Sequence, residues 1–321
     1  MSAVKRSVKK SYVLSEFDIN KLYPEKPGIR NSKIIVCIGK RGTGKSLFIL
    51  DVLQRLRDIP VATVISKTEP YSRTFEPHIP AQFLHDEYDD NLLHEFWTAQ
   101  KKKKRKQARD PNFRTFDTRG ILVLDDCLTN MKEWLKNKDV SDIFYNGRHT
   151  DTTFIFSMQY AMGIHPTFRS NVDYIVLYKE IKYDNLKRLY NYYAGYFHHF
   201  RDFCDVFKQC TEDFGCMVID GKGSTIEDSI FWYRVDKRIE KMEFKCCDPK
   251  YWANNQAILR RRYEDEADDD AQDEDYAIKV RKIGTNGNRR QQDTRDSQIR
   301  NLSSIRRLAI NDTHDMNDRR R

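Results

Sequence analysis

Short apolar runs rich in β-branched residues recur along the first 236 residues and predict strands. Such a run is typical of a buried strand when glycine or polar residues bound it on both sides. The first run, KIIVCIG, ends at a glycine, and the third, ILVLD, ends in an acid. The strands are predicted at residues 33–39, 59–66, 121–125, 152–160 and 173–180, and in the later segments GCMVID and IFWYRVD.

Helical spacing replaces the strand pattern between these runs. Apolar residues after the first glycine-rich loop recur three or four positions apart, which predicts a helix directly after strand and loop; they are Leu47, Ile49, Leu50, Leu53 and Leu56. A second helix is predicted from about residue 89 into a basic run, and the aromatic-rich residues 182–212 are predicted to be helical. Alternating strands and helices indicate an α/β fold, a mostly parallel sheet with helices on both faces.

The amino-acid composition of the chain changes near both ends. Residues 1–30 are basic and then punctuated by prolines, which predicts an N-terminal arm leading to an α/β domain at residues 31–254. Residues 255–321 contain a block with nine acids in twelve positions, 264–275, and end in three arginines. Because such a segment has few residues that could form a core, we predict a charged, largely disordered C-terminal tail.

The charge balance narrows the possible partners. The 321 residues include 57 Lys and Arg against 48 Asp and Glu, a net charge of +9, which favours a polyanion such as nucleic acid. No apolar run approaches the roughly 20 residues that a membrane-spanning helix needs. The N-terminus also lacks the apolar stretch of a secretory signal. We therefore expect neither a membrane span nor secretion.

The octapeptide GKRGTGKS, residues 39–46, matches the phosphate-binding pattern G-x-x-x-x-G-K-S and lies between a predicted strand and a predicted helix. Its glycines let backbone N–H groups wrap around phosphates, and the helix N-terminus adds a positive dipole end. Lys45 is expected to reach the β- and γ-phosphates, and the Ser46 hydroxyl to bind Mg²⁺. The predicted cofactors are ATP and Mg²⁺, with the nucleotide held by Gly39, Lys40, Arg41, Gly42, Thr43, Gly44, Lys45, Ser46 and Leu47.

Two later strands end in polar residues that suit hydrolysis. The strand ILVLDD delivers Asp125 and Asp126 to the carboxyl edge of the sheet, where α/β sheets bind ligands. Asp125 is expected to hold Mg²⁺, directly or through water, and Asp126 to act as general base towards the attacking water. The strand TTFIFSMQY ends in Gln159, whose amide can orient water and bond a phosphate oxygen at once. These residues favour hydrolysis over transfer to an acceptor.

Taken in order, GKRGTGKS, GILVLDDC and NGRHTDTTFIFSMQYAMGIHPTFRSNVDYIVL resemble the virion DNA-packaging ATPases of nucleocytoplasmic large DNA viruses. This poxvirus-type group belongs to the FtsK–HerA superfamily of P-loop motors, and the resemblance covers about residues 30–236. It implies a RecA/FtsK-like P-loop NTPase fold and an ATP-driven ring, a hexamer or pentamer, that moves double-stranded DNA into a capsid. It also implies capsid or portal-type protein partners and a location in the virion or at a cytoplasmic or nuclear assembly site. Many relatives in the superfamily carry Glu where this chain has Asp126.

A ring motor normally completes each site with an arginine from the neighbouring subunit. We predict Arg148 for this role, and Arg119 and Arg169 are the other candidates. A surface arginine that caps a helix or pairs with Asp151 is the structural alternative for Arg148.

Several alternatives stay open from sequence. The basic run at residues 101–109 could be a DNA-facing pore loop, a nuclear-localisation signal or a solvated helix face. The glycine loop also fits a P-loop nucleotide or small-molecule kinase, or another nucleic-acid-dependent ATPase of helicase type. A non-motor interaction protein with a degenerate site is disfavoured by the intact Lys45, Ser46 and Asp125.

Overall fold

The structure is a computed structural model that describes residues 12–22, 32–127, 134, 136–160 and 164–274, with side chains up to residue 264. In this part of the chain, eight strands form one sheet in the order β3-β2-β4-β5-β1-β6-β7-β8. The strands are β1 Ile34–Ile38, β2 Ala62–Ser66, β3 Leu84–His85, β4 Gly120–Asp125, β5 Thr152–Met158, β6 Tyr174–Tyr178, β7 Cys216–Asp220 and β8 Ile230–Tyr233. β1 to β6 run parallel, and β7 and β8 are antiparallel to their neighbours.

Helices connect the parallel strands, joined by several short 3-10 helices. The α-helices are α1 Lys45–Arg55, α2 Glu69–Ser72, α3 Asp90–Arg109, α4 Lys138–Asn146, α5 Pro166–Arg169, α6 Tyr183–Tyr193, α7 Phe200–Cys210, α8 Ile226–Ser229 and α9 Asn255–Glu274. The predicted α/β class with a mostly parallel sheet is confirmed. No helix in the described ranges is both long and apolar enough to cross a membrane.

The strands bury both faces, as central strands of a parallel sheet do. Side chains alternate along β1, so Val36 packs on one face with Trp97 of α3 and Phe144 of α4. Cys37 packs on the opposite face with Phe48 of α1. The core is therefore two apolar layers, one on each side of the sheet, and the predicted placement of helices on both faces is confirmed.

This arrangement brings several chain segments to one edge. β1, β4 and β5 are parallel neighbours in register, with Ile38 opposite Met158 and Leu124 opposite Phe156. The glycine loop starts at this edge, where the Gly39 N–H donates to the Met158 carbonyl at 3.0 Å. The loop after β1, the acids ending β4 and the residue after β5 therefore lie together at the carboxyl edge of the sheet.

Residues 12–22, which fall within the predicted N-terminal arm, pack against the domain. Phe17 is buried, its N–H donates to the Trp232 carbonyl at 2.8 Å, and the Trp232 N–H donates to the Ser15 carbonyl at 3.2 Å. This segment supplies backbone partners to β8, the last strand of the sheet, which would otherwise present an open edge. The structure thus corrects the predicted arm, since residues 12–22 belong to the folded domain.

The C-terminal boundary also moves. The tail was predicted to begin at residue 255, but α9 starts there and its first turns are anchored on the loops around β3. The Asn255 side chain accepts from the Ala81 N–H at 2.6 Å, and Arg262 donates to the Ala81 and Leu84 carbonyls at 3.0 and 2.9 Å. Polar side chains make these contacts, and a prediction based on apolar residues therefore missed them. The compact domain extends to residue 264, and residues 275–321 of the predicted tail lie outside the described part of the chain.

The basic run at residues 101–109 forms the second half of α3, so the pore-loop alternative is contradicted by the fold. Several of its lysines bind within the domain. Lys101 pairs with Asp142 at 3.2 Å, Lys104 pairs with Asp151 at 2.7 Å, and the Lys106 ammonium lies 4.3 Å from the centre of the Phe113 ring. These three lysines secure the second half of α3 to its neighbours, while Lys102, Arg105 and Arg109 are exposed.

Candidate functional site

The glycine loop adopts a conformation that needs its glycines. Gly42 and Gly44 have φ of 72° and 104°, in the left-handed region that side chains disfavour. A Cβ on Gly39 would lie 2.5 Å from the Tyr178 Cβ, which leaves no room for a side chain. Because α1 begins at Lys45 directly after Gly44, the loop delivers the chain to a helix N-terminus. The loop therefore has the glycine-dependent conformation and the adjoining helix N-terminus that a phosphate site would use.

Lys45 crosses the loop and reaches the acids that end β4. Its side chain is 4 % exposed, and Nζ lies 3.1 Å from Asp126 Oδ2. Nζ also donates to the carbonyls of Gly39 and Lys40 at 2.8 and 3.2 Å. The ammonium is thus fixed between the loop backbone and a carboxylate, at the position where a cation can compensate phosphate charge.

Asp125 and Ser46 meet as the sequence predicted. Asp125 is buried, and its Oδ2 accepts from the Ser46 hydroxyl at 2.9 Å. Burial, together with the charge of Asp126, holds the pKa of the Asp125 carboxyl above its ordinary value, although hydrogen bonds from Ser157 and Ser46 and the charge of Lys45 act to lower it. The Asp125 carboxylate oxygen and the Ser46 hydroxyl oxygen are hard ligands of the kind that Mg²⁺ binds. Protein-bound Mg²⁺ usually takes one or two carboxylates, and phosphates and water complete its coordination shell. The pair therefore fits a magnesium ion held together with a nucleotide.

Ser157 is the member of this site that the sequence analysis missed. Its hydroxyl lies 2.7 Å from Asp125 Oδ1 and 3.2 Å from Asp126 Oδ1, and it accepts from the Asp126 N–H at 3.0 Å. The hydroxyl has one proton, so it can donate to one of the two carboxylates at a time. A signal was available in TTFIFSMQY, since Ser157 is a polar residue inside an apolar run and stands two positions before Gln159.

Asp126 stands at the centre of the cluster with an unusual backbone. Its φ is 51°, a left-handed conformation that an aspartate tolerates better than most residues and that is common at functional sites. The Gln159 amide donates from Nε2 to Asp126 Oδ2 at 3.4 Å, and Lys45 holds the same oxygen. The structure therefore brings together Lys45, Asp126 and Gln159, three of the four predicted catalytic residues.

The fourth, Arg148, lies at the amino ends of the parallel strands, whereas the other three lie at their carboxyl ends. It belongs to a 3-10 helix, Gly147–Thr150, just before β5, and its Nη2 donates to Asp173 Oδ1 at 2.7 Å. β5 has seven residues, so about 20 Å separates its two ends and Arg148 cannot reach the site of its own chain. Its partner is Asp173, and Asp151 pairs with Lys104 instead. A role for Arg148 in a neighbouring subunit stays a prediction.

The other arginine candidates also have partners in the chain. Arg119, just before β4, binds Asp117 at 2.7 Å and Asp58 at 2.9 Å, at the same edge as Arg148. Arg169 donates from Nη1 to the Tyr192 carbonyl at 2.9 Å.

Asp173 is a buried carboxylate that ties together the starts of several strands. It is 1 % exposed, its Oδ2 accepts from the Ile34 N–H at 2.9 Å, and its Oδ1 accepts from Arg148 and from Lys222 at 2.7 and 2.9 Å. The two cations are half exposed and can turn to water, whereas the Ile34 N–H is buried. The carboxylate therefore stabilises the amino end of β1 mainly through its hydrogen bond from the Ile34 N–H.

We expect Asp173→Ala to lower the free energy of unfolding by about 2–3 kcal/mol, because it leaves the buried Ile34 N–H unpaired. Urea denaturation of the full chain measures this loss. Glu264→Ala is the matched control, since Glu264 pairs with Arg260 one helical turn away at the surface and its removal is expected to change little. Equal stability of the two variants would contradict the role of Asp173.

Solved structures of related fold include two with bound nucleotide analogues. The genome packaging NTPase B204 from Sulfolobus turreted icosahedral virus 2, in complex with AMPPCP, is 14% identical, with 64% of this chain and 98% of that chain covered and a TM-score of 0.43. The pCW3 conjugation coupling protein TcpA with ATPγS is 13% identical, with 79% and 75% covered and a TM-score of 0.47.

Sequence comparison identifies the family. The model of the Poxvirus A32 protein family matches residues 16–238. The uncharacterized protein L437 of Acanthamoeba polyphaga mimivirus is 36% identical over 259 residues, which cover 78% of this chain and 88% of that protein. The uncharacterized protein 075L of Invertebrate iridescent virus 6 is 34% identical over 243 residues, covering 73% and 91%. The chain therefore belongs to the poxvirus A32 protein family, the genome-packaging P-loop ATPases that its motifs resemble.

Proposed function

We propose that this chain hydrolyses ATP to move double-stranded viral DNA into a capsid, as a ring of identical subunits at the site of virus assembly. The observation that carries the proposal is the contact of Asp126 with Lys45, Ser157 and Gln159 beside the glycine loop. A carboxylate fixed in this way can accept a proton from water near a phosphate. Membership of a genome-packaging family and a net charge of +9 support DNA as the cargo.

The glycine loop, the Lys45 ammonium and the Ser46 hydroxyl are the proposed nucleotide-binding groups. Backbone N–H groups along residues 39–47 surround the phosphates, and the Lys45 ammonium exchanges the Gly39 and Lys40 carbonyls for β- and γ-phosphate oxygens. Ser46 and Asp125 are the proposed Mg²⁺ ligands. A bound Mg²⁺ would neutralise charge on the β- and γ-phosphates.

Hydrolysis then uses the residues at the ends of β4 and β5. Asp126 takes a proton from a water molecule while the water oxygen forms a bond to the γ-phosphorus. The bond from that phosphorus to the β,γ-bridging oxygen breaks. ADP leaves with the bonding electrons and phosphate is the other product. The Gln159 amide, 3.4 Å from the same carboxylate, orients the water. Ser157 keeps the two carboxylates apart and in place.

A ring of subunits would also complete the site. Arg148 and the nucleotide site lie at opposite edges of one sheet, so a head-to-tail ring of five or six copies can set one subunit's Arg148 edge against the next subunit's site. In that arrangement the arginine would stabilise charge on the leaving phosphate. Capsid or portal-type proteins are the further partners that a packaging role requires.

The experiment that tests the function measures ATP hydrolysis with and without duplex DNA. We expect duplex DNA to stimulate hydrolysis, and the stimulation to fall as salt rises, because contacts to phosphates release counterions. Displacement of a third strand from a triplex on linear duplex DNA measures movement along the duplex. Phosphate transfer to a nucleoside with no effect of DNA would instead support a kinase. A strict monomer in the presence of ATP and DNA would contradict the ring.

A further inference from the structure

An exposed aromatic side chain stands beside the glycine loop on the side away from the acids. Phe214 belongs to the short 3-10 helix Glu212–Phe214, which precedes β7, and the residue is 58 % exposed. Its carbonyl oxygen lies 3.8 Å from the position that a Cβ on Gly44 would take. The Phe214 backbone thus contacts the last glycine before α1.

The turn that presents Phe214 is fixed and strained. Asp213 and Phe214 have φ of 48° and 63°, and consecutive left-handed residues without glycine are costly and cluster at ligand clamps. The Gly215 N–H donates to the Glu212 carbonyl at 2.8 Å, and a Cβ on Gly215 would lie 2.4 Å from the Cys210 carbonyl. Close packing on the end of α7 therefore holds the turn in a conformation that projects the phenyl ring outward.

The order of the strands decides which part of a nucleotide faces this turn. β1 lies between β5 and β6, with the acidic β4 beyond β5 and β7 beyond β6. Lys45 leans towards Asp126, so the γ-phosphate end of a bound nucleotide points to β4 and β5. The nucleoside is at the other end of the phosphate chain. It must therefore extend towards β6 and β7, where Phe214 lies.

We propose that Phe214 is the platform on which the base of the bound nucleoside triphosphate stacks. The Lys237 ammonium lies 5.0 Å from the ring centroid over one face, in a 3-10 helix, Lys237–Lys241, that packs beside α1. The base takes the opposite face, and the cation strengthens the clamp. This assignment rests on the proposed nucleotide site, and it adds the residue that recognises the nucleoside part of the ligand.

The test compares a nucleotide with its phosphates alone. The full chain is titrated calorimetrically with Mg²⁺-ADP and with Mg²⁺-tripolyphosphate, for the wild type and for Phe214→Asn and Phe214→Tyr. Asparagine tolerates the left-handed backbone but removes the ring. We expect Phe214→Asn to weaken ADP binding about tenfold, the range of base–aromatic stacking, and to leave tripolyphosphate binding unchanged. Phe214→Tyr is expected to bind both ligands like the wild type.

Phe116→Asn is the matched control, because Phe116 is also a partly exposed ring but lies just before β4 at the opposite edge of the sheet. It is expected to leave both affinities unchanged. The proposal is overturned if Phe214→Asn binds ADP like the wild type, or if it loses ADP and tripolyphosphate affinity equally. Failure of DNA-stimulated hydrolysis in the wild type would remove the motor function but not this result, since binding is measured without turnover.

Discussion

Replacing Asp126 by asparagine is expected to slow ATP hydrolysis by about 10³-fold, within the contribution of a well-placed general base. Asparagine has the same shape and tolerates the left-handed backbone at φ 51°, so the contacts to Ser157 and Lys45 can persist. An amide oxygen cannot take up the proton of the attacking water. The change also removes a negative charge beside the γ-phosphate, and ATP binding should be retained or tightened. Single-turnover hydrolysis and ATP titration measure the two effects separately.

Asp151→Asn is the control for this substitution. Asp151 is also an aspartate with left-handed φ, 53°, and it also binds a lysine, Lys104, at 2.7 Å, but it lies at the opposite edge of the sheet. Its variant should hydrolyse ATP like the wild type. If Asp126→Asn retains near-normal hydrolysis, another group accepts the proton and the proposed mechanism fails.

The second large effect is expected from Arg148→Ala in the assembled ring, a loss of about 10³-fold or more in hydrolysis if the arginine acts on a neighbour's phosphate. Lys222→Ala is its matched control. Both cations pair with the same buried carboxylate oxygen of Asp173, at 2.7 and 2.9 Å, and both are about half exposed. A purely structural role therefore predicts the same small effect from both variants. A role in trans predicts that only Arg148→Ala lowers the rate.

Mixed assemblies make this test sharper. Lys45→Ala subunits have a defective nucleotide site but an intact Arg148, and Arg148→Ala subunits have the reverse. Mixing the two should restore hydrolysis at junctions where an intact arginine faces an intact site. If mixtures stay inactive while Lys222→Ala is fully active, the loss in Arg148→Ala comes from the fold or assembly of the subunit and not from a contact with the neighbour's phosphate, and the role in trans is wrong. If both single variants keep wild-type rates, the arginine in trans is a different one, and Arg119 and Arg169 are tested in the same way.

The sequence predicted those site residues that directly follow a strand, because their place at the end of that strand depends only on neighbouring residues. The glycine loop, the acids after β4 and Gln159 after β5 each follow a buried strand, and parallel strands bring their carboxyl ends to one edge. Strand order decides which of these meet, and the structure provides that order, with β5 between β4 and β1. The two domain boundaries were less accurate, because Phe17 pairs with Trp232 and Arg262 with Ala81 across long sequence separations.

By itself, then, the sequence determined the α/β class, the nucleotide loop and the polar residues at the strand ends, since apolar periodicity and local spacing are properties of neighbouring residues. Only the tertiary structure decided that Ser157 bridges both acids, that Arg148 is bound by Asp173, and that Phe214 stands beside Gly44. These contacts join residues 25 to 170 positions apart in different elements of the fold. Such contacts form when helices and strands distant in sequence pack together, and local spacing does not determine which partner each of these side chains meets.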